Sequence, residues 1–171
     1  MALGVDYARQ DCSLARALEV VGERWTLLIL RDGFLGVRRF SDFEAHLDIS
    51  KAVLSARLAA LVEAGLLARS EAAGHREYAV TERAHDLWPA IFALTQWGEG
   101  LSERPPRRLF EHADCGGRVA PDGRCTACGL VPAPADLETR PGPGADPTVR
   151  DDAVSRALRT RRRLLDPLPL R

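Results

Sequence analysis

One short stretch of the sequence holds most of the residues that suit metal chemistry. Its spacing is His112-x2-Cys115-x9-Cys125-x2-Cys128, and glycines surround the cysteines. Three thiolates and one imidazole form a donor set that suits a tetrahedral zinc ion. Glycine next to cysteine allows main-chain amides to turn towards the sulfur atoms, so the pattern predicts a zinc site. Because four protein ligands leave no open coordination position, we expect this zinc to be structural rather than catalytic.

Other interpretations of the cluster stay open at this stage. Cys125 and Cys128 alone would form a redox-active pair, and all three cysteines would also be compatible with plain thiols. Asp114 or His85 are alternative fourth ligands to His112. The segment is similar to half of a small zinc ribbon.

A fourth cysteine, Cys12, precedes the first predicted helix. The start of a helix lowers the pKa of a thiol, although the neighbouring carboxylate of Asp11 opposes this effect. Cys12 is therefore a candidate redox-sensing residue. The alternative is a small side chain packed between two subunits.

The sequence offers little that would support catalysis. It has no nucleophile–base spacing, no phosphate-binding loop and no paired carboxylates, and His46, His75 and His85 occur singly. We expect that the protein is not an enzyme.

Composition narrows the class of protein further. The 171 residues have a formal net charge of zero, and 46% are hydrophobic. No apolar run approaches the roughly 20 residues that a membrane span needs, and the N-terminus is too polar for a signal peptide. We therefore expect a cytoplasmic protein with no membrane partner. Residues 1–104 contain 12 basic and 15 acidic side chains, so a nucleic-acid footprint must be a local cluster.

The pattern of apolar residues predicts the elements that position these groups. Helices are expected around Leu14–Val21, Trp25–Phe34 and Ser41–Leu47, from Ser50 to Gly65, and from Thr81 to Leu101, with strands at Leu67–Glu71 and Arg76–Val80. This order predicts a mainly α protein with a small β-hairpin wing (α+β), a winged helix-turn-helix with flanking dimerisation helices. A small Cys-rich, zinc-ribbon-like appendage follows it.

Composition also predicts three segments. Residues 1–104 form the winged helix-turn-helix and dimerisation domain, and residues 105–131 form the Cys/His-rich, zinc-binding segment. Residues 132–171 are a Pro/Gly linker followed by a basic tail. The tail has the pattern of one basic helix, but a solvated tail is the favoured interpretation.

The last long helix carries more aromatic residues than one buried face requires. Leu87, Ile91, Leu94, Gly98 and Leu101 form its main stripe, and Trp88, Phe92 and Trp97 lie beyond it. The surplus favours a subunit interface, with a single well-buried helix as the alternative. A cavity bordered by Trp25, Trp88 and Trp97 would suit a small-molecule effector, although buried aromatics more often belong to a core.

The second helix of a helix-turn-helix enters the major groove of DNA. Here its outer face would be small and polar, and Ser50 and Ser55 would bond to bases or phosphates while alanines meet thymine methyl groups. The predicted phosphate-binding residues are Arg38, Arg39, Lys51, Arg57, Arg69 and Arg76, with His75 near the wing tip. Counterion release at such contacts permits binding at zero net charge. Alternatively, these arginines are solvated or paired with Glu71, Glu77 and Asp42.

At this point a family resemblance becomes specific. The chain resembles the HxlR-type winged-helix transcriptional regulators, which are related to the MarR group. The resemblance rests on Cys12 and on the segments GERWTLLILRD, GVRRFSDF, ISKAVLSARLAALVEAGLL, YAVTERA and LTQWGEGL, between residues 12 and 101. It implies a homodimer built from the first and last helices that binds a palindromic promoter site.

The resemblance also implies specific contacts. Base recognition would fall to Ser50, Lys51, Ala52, Ser55 and Ala56, with wing contacts near His75 and Arg76. Alanine at positions 52 and 56 departs from the longer polar side chains common in the family. Some members sense electrophiles or oxidants through a cysteine at the position of Cys12.

Together these features predict a DNA-binding transcriptional regulator. We expect a homodimeric repressor of sequence-specific type, with redox, electrophile or small-molecule input. The alternative function is a zinc-stabilised protein-interaction module.

Overall fold

The structure is a computed structural model that describes residues 7, 9–72 and 74–170. Seven α-helices and five β-strands occur in these residues. The helices are α1 (Ser13–Val21), α2 (Thr26–Phe34), α3 (Phe40–Leu47), α4 (Lys51–Glu63), α5 (Glu82–His85), α6 (Trp88–Glu99) and α7 (Ala153–Ala157), and the strands are β1 (Leu67–Ala72), β2 (His75–Val80), β3 (Arg108–His112), β4 (Leu137–Pro141) and β5 (Arg162–Arg163). Residues 1–6, 8, 73 and 171, which fall in the predicted first domain and basic tail, lie outside this description.

The predicted helix-turn-helix consists of α3 and α4, and both helices pack against α2 at the centre of the fold. Helix α2 is apolar on nearly every side and is buried between its neighbours. Helix α4 begins after Ser50, whose hydroxyl accepts a hydrogen bond from the amide of Val53 at 3.4 Å. Leu54, Leu58 and Leu61 form its buried face, as the sequence predicted. The mixed α+β winged-helix architecture is confirmed.

The wing is an antiparallel hairpin of β1 and β2. Its register runs from Leu67 opposite Val80 to Ala72 opposite His75. The segment before α3 lies beside this hairpin, because the amide of Tyr78 donates to the carbonyl of Arg38 and Arg39 pairs with Glu77. The wing is thereby tied to the first helix of the helix-turn-helix.

Three helix predictions need correction. Helix α1 begins at Ser13, one residue before the predicted start, with Cys12 as its N-cap, and α3 begins at Phe40 rather than at Ser41. The predicted last helix is two helices, because the chain breaks between α5 and α6, and Pro89 occupies the first turn of α6. Within α6, Trp88, Ile91 and Phe92 are buried. The buried face is therefore displaced from the predicted stripe, and Leu94 and Trp97 are exposed.

The segment predicted as a linker and solvated tail is folded, which corrects that expectation. Strands β3, β4 and β5 form one antiparallel sheet in that order. Val154, Leu158, Leu164 and Leu168 are buried in the same apolar core as α2 and α4. Phe110 of β3 joins this core through edge-on contacts with Trp88 and Phe92, at ring distances of 5.6 and 5.4 Å. We call residues 105–170 the C-terminal extension.

The end of the C-terminal extension closes over the end of α2. The amide of Leu165 donates to the carbonyl of Phe34, and the amide of Leu168 donates to the carbonyl of Gly36. Gly36 has a φ of 93°, and a Cβ atom built on it would lie 2.0 Å from the carbonyl oxygen of Asp166. Only glycine permits both this backbone conformation and this approach of the two chain segments.

Substitution of Gly36 tests whether this contact stabilises the fold. Gly36→Ala is expected to lower the free energy of unfolding by about 2–3 kcal/mol, because it adds a steric clash to the strain of a positive φ. Gly74→Ala is the matched control, since Gly74 also has a positive φ but an added Cβ there meets no atom of the described chain within 4 Å. Urea unfolding measures both, and equal losses would contradict a packing role for residues 164–168.

Among the residues that the structure describes, no helix is both long enough and apolar enough to cross a membrane.

Candidate nucleic-acid interface and metal centre

The outer face of α4 carries the predicted recognition residues. Helix α3 ends at Asp48, which adopts a left-handed conformation with a φ of 53° and reverses the chain towards α4. All five predicted recognition residues, Ser50, Lys51, Ala52, Ser55 and Ala56, are exposed, and so are Val53, Ala59 and Ala60 of α4. Their small size leaves the backbone of α4 open to close approach by a partner. This face of α4 is therefore accessible to a partner.

Three of the predicted phosphate-binding residues are exposed and unpaired. Lys51 lies at the start of α4, and Arg69 and Arg76 lie on the two strands of the wing. Within the described chain, no carboxylate lies within 4.0 Å of these three side chains. His75 is also exposed, at the tip of the wing. These groups are available to an anionic partner.

Two other predicted phosphate-binding residues have carboxylate partners. Arg39 lies 3.7 Å from Glu77 on the wing, and Arg57 of α4 lies 3.2 Å from Glu23. For Arg39 the alternative prediction, pairing with a nearby carboxylate, is therefore correct, and its partner is Glu77. Both pairs are partly exposed to solvent, where an ion pair is worth little.

Arg38 points into the protein rather than outward. Its guanidinium donates to the carbonyls of Gly33, at 3.2 Å, and Leu165, at 2.5 Å. Burial lowers the pKa of Arg38, with Glu77 and Asp166 opposing this shift. In this position Arg38 connects α2 to the C-terminal extension, a contact that spans 127 residues of sequence. No local sequence pattern would have indicated it.

The predicted metal ligands converge in space. Ligand atoms of His112, Cys115, Cys125 and Cys128 all lie within 4.8 Å of one another. The Cys115 and Cys125 sulfurs are 3.4 Å apart, and His112 Nδ1 lies 3.4 and 3.3 Å from the sulfurs of Cys115 and Cys128. A tetrahedron with zinc–sulfur bonds of about 2.3 Å has edges of about 3.8 Å. These three separations are a few tenths of an ångström shorter than such an edge and none of the others exceeds 4.8 Å, so shifts of no more than about 1 Å would allow the four groups to hold such an ion.

Two similar turns supply these four ligands. In each turn a glycine amide donates to the carbonyl four residues earlier, Gly116 to His112 and Gly129 to Cys125. Both glycines have a positive φ, 69° and 72°, which only glycine adopts without strain. The turns place the ligands of HxxC and CxxC side by side. The glycines noted in the sequence have a defined role here.

Main-chain amides near the cluster lower the pKa of one of its thiols. The amide of Cys128 is the strongest influence that lowers the pKa of Cys125 to about 6, with burial opposing it and the amide of Ala127 assisting. A lowered pKa favours the thiolate, which is the form that binds metal. Gly117 is equally constrained, since a Cβ built on it would lie 2.4 Å from the Cys125 sulfur. The donor set and its surroundings fit zinc.

The alternative fourth ligands are less suited. Asp114 is exposed and lies 3.7 Å from His112 Nε2, on the far side of the imidazole from the sulfurs. His85 lies against the ring of Phe34 at 6.0 Å. Neither belongs to the convergent group of four. His112 is therefore the candidate that the geometry supports.

Apolar side chains are exposed on α1 and on α6 with the residues directly after it. Leu14 of α1 is 66% exposed, Leu94 and Trp97 of α6 are 51% and 67% exposed, and Leu101 is 68% exposed. Cys12 is also exposed, directly before α1. Apolar surface of this kind is typical of a protein–protein interface.

The structure changes the predicted effector cavity. A cavity of about 670 Å³ lies between α2, α6 and the C-terminal extension. Trp88 lines it, but Trp25 and Trp97, which the prediction placed at its border, do not. Several arginines of the C-terminal extension line it instead. The sequence did not predict them as part of a site, because that segment was predicted to be a linker and a solvated tail.

Comparisons with known proteins agree with this geometry. A family model described as HxlR-like helix-turn-helix matches residues 20–106. The HTH-type transcriptional regulator Rv3095 of Mycobacterium tuberculosis is 45% identical over 137 residues, covering 77% of this chain and 87% of that protein. The HTH-type transcriptional regulator YdeP of Bacillus subtilis is 28% identical over 109 residues, covering 60% of this chain and 85% of that protein.

A similar crystal structure is known, and the similarity to Rv3095 extends beyond the family segment. The crystal structure of PA1607, described as a proposed transcription factor, is similar with a TM-score of 0.60 at 36% identity, covering 71% of this chain and 88% of that chain. The match to Rv3095 covers more of the chain than residues 20–106, and too few residues precede residue 20 to account for the difference. The similarity to Rv3095 therefore continues into the C-terminal extension.

Proposed function

The chain belongs to the HxlR-like helix-turn-helix family of transcriptional regulators, and on this basis we propose that it is a homodimeric repressor that binds a palindromic promoter site in double-stranded DNA. The observation that carries the proposal is the exposed face of α4 beside unpaired cations of the wing. A dimer seated on a promoter would exclude the polymerase.

In the proposed complex, α4 would lie in the major groove of the DNA. Ser50, Lys51, Ala52, Ser55 and Ala56 would face the base edges, with the serine hydroxyls as hydrogen-bonding groups and the alanines against thymine methyl groups. Because none of the five is an arginine, the bidentate arginine–guanine pair is missing from this set, and part of the specificity would come from the shape of the DNA.

Phosphate binding would fall to the wing and the tip of α4. Lys51, Arg69 and Arg76 are the primary anchors, with His75 near the wing tip. Arg39 and Arg57 would exchange their exposed carboxylate partners for phosphates, an exchange that costs little. Arg38 would act indirectly, by holding the C-terminal extension against α2.

The dimer would form through α1 and α6. Leu14, Leu94, Trp97 and Leu101 would be buried between the subunits, which explains why so much apolar surface lies on these helices. Two recognition helices related by a twofold axis match a palindromic site.

The His/Cys cluster would hold one structural zinc ion. His112, Cys115, Cys125 and Cys128 are its ligands, and the ion would fix the turns that connect β3 to the rest of the C-terminal extension. The redox role of Cys12 stays a prediction, for which its exposed position is a necessary condition.

Binding to the DNA upstream of the protein's own coding sequence tests the proposed function. Fluorescence anisotropy with a labelled upstream fragment is expected to give a dissociation constant at least tenfold below that of a shuffled fragment. Equal affinity for both fragments would contradict sequence-specific regulation. It would favour the alternative of a zinc-stabilised protein-interaction module.

The anchoring residues make a separate prediction. Lys51→Gln, Arg69→Gln and Arg76→Gln are each expected to weaken binding to every DNA sequence alike. Each is also expected to reduce the slope of log K against log salt by about 1 per subunit, because each removes a phosphate contact. Arg163→Gln is the matched control, since Arg163 is exposed on β5, which pairs with β4 rather than with the wing. An unchanged slope in all three variants would contradict the assignment.

A further inference from the structure

The cavity between α2, α6 and the C-terminal extension has the size of a small-molecule site. Its volume of about 670 Å³ falls within the range of ligand pockets. Leu35, Trp88, Ile91, Phe110 and Leu158 form an apolar part of its wall. Each is buried, so the cavity presents a preformed apolar surface.

The remaining wall is rich in arginine. Six arginines line the cavity: Arg31, Arg104, Arg107, Arg108, Arg150 and Arg159. Three of these are neutralised by carboxylates, because Arg31 lies 2.6 Å from Asp32, Arg150 lies 3.7 Å from Asp152 and Arg159 lies 2.9 Å from Asp151. The other three, Arg104, Arg107 and Arg108, have no carboxylate within 4.0 Å among the residues described.

Arg108 is the innermost of these unpaired cations. It is half-buried at the start of β3, and its guanidinium makes only long hydrogen bonds of 3.4 Å, to Thr139 Oγ1 and the carbonyl of Leu158. Burial lowers the pKa of Arg108 to about 10, with Arg31 and Arg162 adding to this effect and Asp32 opposing it. The side chain remains charged at neutral pH. A partly desolvated cation with weak partners would gain from an anion.

The charge of the wall limits the kind of anion. Two carboxylates also line the cavity, Glu99 and Asp146. Set against the three unpaired arginines, they leave an excess of about one positive charge. Such a wall suits a single negative charge better than a phosphate with two.

We propose that this cavity binds a monocarboxylate with an aromatic or aliphatic body, its carboxylate on Arg104, Arg107 and Arg108 and its body against Trp88, Ile91 and Phe110. Arginine pairs with a carboxylate through two parallel hydrogen bonds, as it also does with phosphate, so the small excess of positive charge in the wall is what favours the carboxylate. The apolar wall binds the remainder of the molecule by excluding water.

The cavity also contacts the helix-turn-helix. His46 of α3 lines it, and the Nδ1 atom of His46 lies 3.2 Å from Asp152 Oδ1 and 3.3 Å from Ser155 Oγ. A ligand between α6 and the C-terminal extension would therefore act on both α3 and the proposed dimer helix. This coupling rests on the proposed function, whereas ligand binding itself does not.

Calorimetric titration of the full chain tests the site without DNA. The probes are 1-naphthoate and decanoate, each with its neutral amide and with 1-naphthyl phosphate as the doubly charged comparison. At least one carboxylate is expected to bind at least tenfold more tightly than its amide and than the phosphate. Failure of both carboxylates, equal binding of the amides, or tighter binding of the phosphate would each overturn the proposal.

Variants locate the site. Arg108→Gln and the more exposed Arg104→Gln are expected to weaken carboxylate binding at least tenfold and about threefold, while Arg163→Gln leaves it unchanged. Thr95→Trp, on a half-buried residue of α6 that lines the cavity, is expected to block it. Circular dichroism checks that each variant is folded, and should Arg108→Gln fail to fold, Arg104→Gln and Thr95→Trp decide the result. Unchanged affinity in folded Arg104→Gln and Thr95→Trp proteins would place the ligand elsewhere and overturn the proposal.

Anisotropy with the upstream fragment then tests the coupling. The bound carboxylate is expected to change DNA affinity at least threefold in the wild type and not in Thr95→Trp. Carboxylate binding with unchanged DNA affinity would overturn the coupling alone. Carboxylate binding in a protein that never prefers its upstream fragment would leave the ligand site intact and contradict the proposed function.

Discussion

Trp97→Asp is expected to convert the protein into monomers and to lower its affinity for a palindromic site by at least about 100-fold. The substitution places a charge within the exposed apolar face of α6, where burial between subunits would leave it without a partner. A monomer reaches one half-site only and loses the advantage of binding both halves together. Sedimentation velocity measures the mass, and anisotropy measures the affinity.

Two further variants make this test specific. Leu14→Asp, on the exposed face of α1, is expected to have the same effect, because both helices would contribute to one interface. Trp97→Phe keeps an apolar ring and is expected to remain dimeric. A Trp97→Asp protein that stays dimeric would show that the subunits meet at another surface.

Cys125→Ser is expected to abolish metal binding and to lower the free energy of unfolding by about 4 kcal/mol, or the melting temperature by about 10 °C. Cys125 is the buried thiol of the cluster, and its pKa is lowered to about 6. Its loss leaves three ligands, and the turns that carry them connect to β3 and hence to the core residue Phe110. Mass spectrometry under native conditions counts the metal, and calorimetry measures the melting.

Cys12→Ser is the matched control, because it removes a thiol that lies outside the convergent group. It is expected to keep one zinc ion per chain and its melting temperature. A chelator is expected to lower the melting temperature of the wild type but not that of Cys125→Ser. Wild-type protein purified without chelator that contains well below one zinc ion per chain would contradict the assignment.

The parts of the fold that the sequence predicted are those with local signals. Ser50 is a helix cap that acts on its own turn, and the spacing of Leu54, Leu58 and Leu61 places one face of α4 inward. The four candidate metal ligands were recognisable because they belong to two short motifs, HxxC and CxxC, each followed by glycine. In these cases the neighbours in sequence are also the neighbours in structure.

The C-terminal extension could not be predicted in this way. Strand β5 has only two residues and is held by its pairing with β4, and the chain after it is held by the hydrogen bond from Leu165 to Phe34 of α2, which is distant in the sequence. Its prolines and glycines suggested a linker, but Gly142 and Gly144 are required where the chain passes against the carbonyls of Pro106 and Pro105. The direction of Arg38 depends on Leu165 in the same extension. The cavity followed from this unpredicted packing.

The apolar core that runs from Val21 to Leu168 limits how this protein can be recombined with others. In a chimaera with its junction near residue 105, Trp88 and Phe92 would lose their contacts with Phe110, and their rings would be exposed to water. Successful breakpoints must therefore lie outside this shared core. The matched family segment and the extension that follows it must therefore be exchanged together. A ligand site in the extension would then be inherited together with the DNA-binding helices.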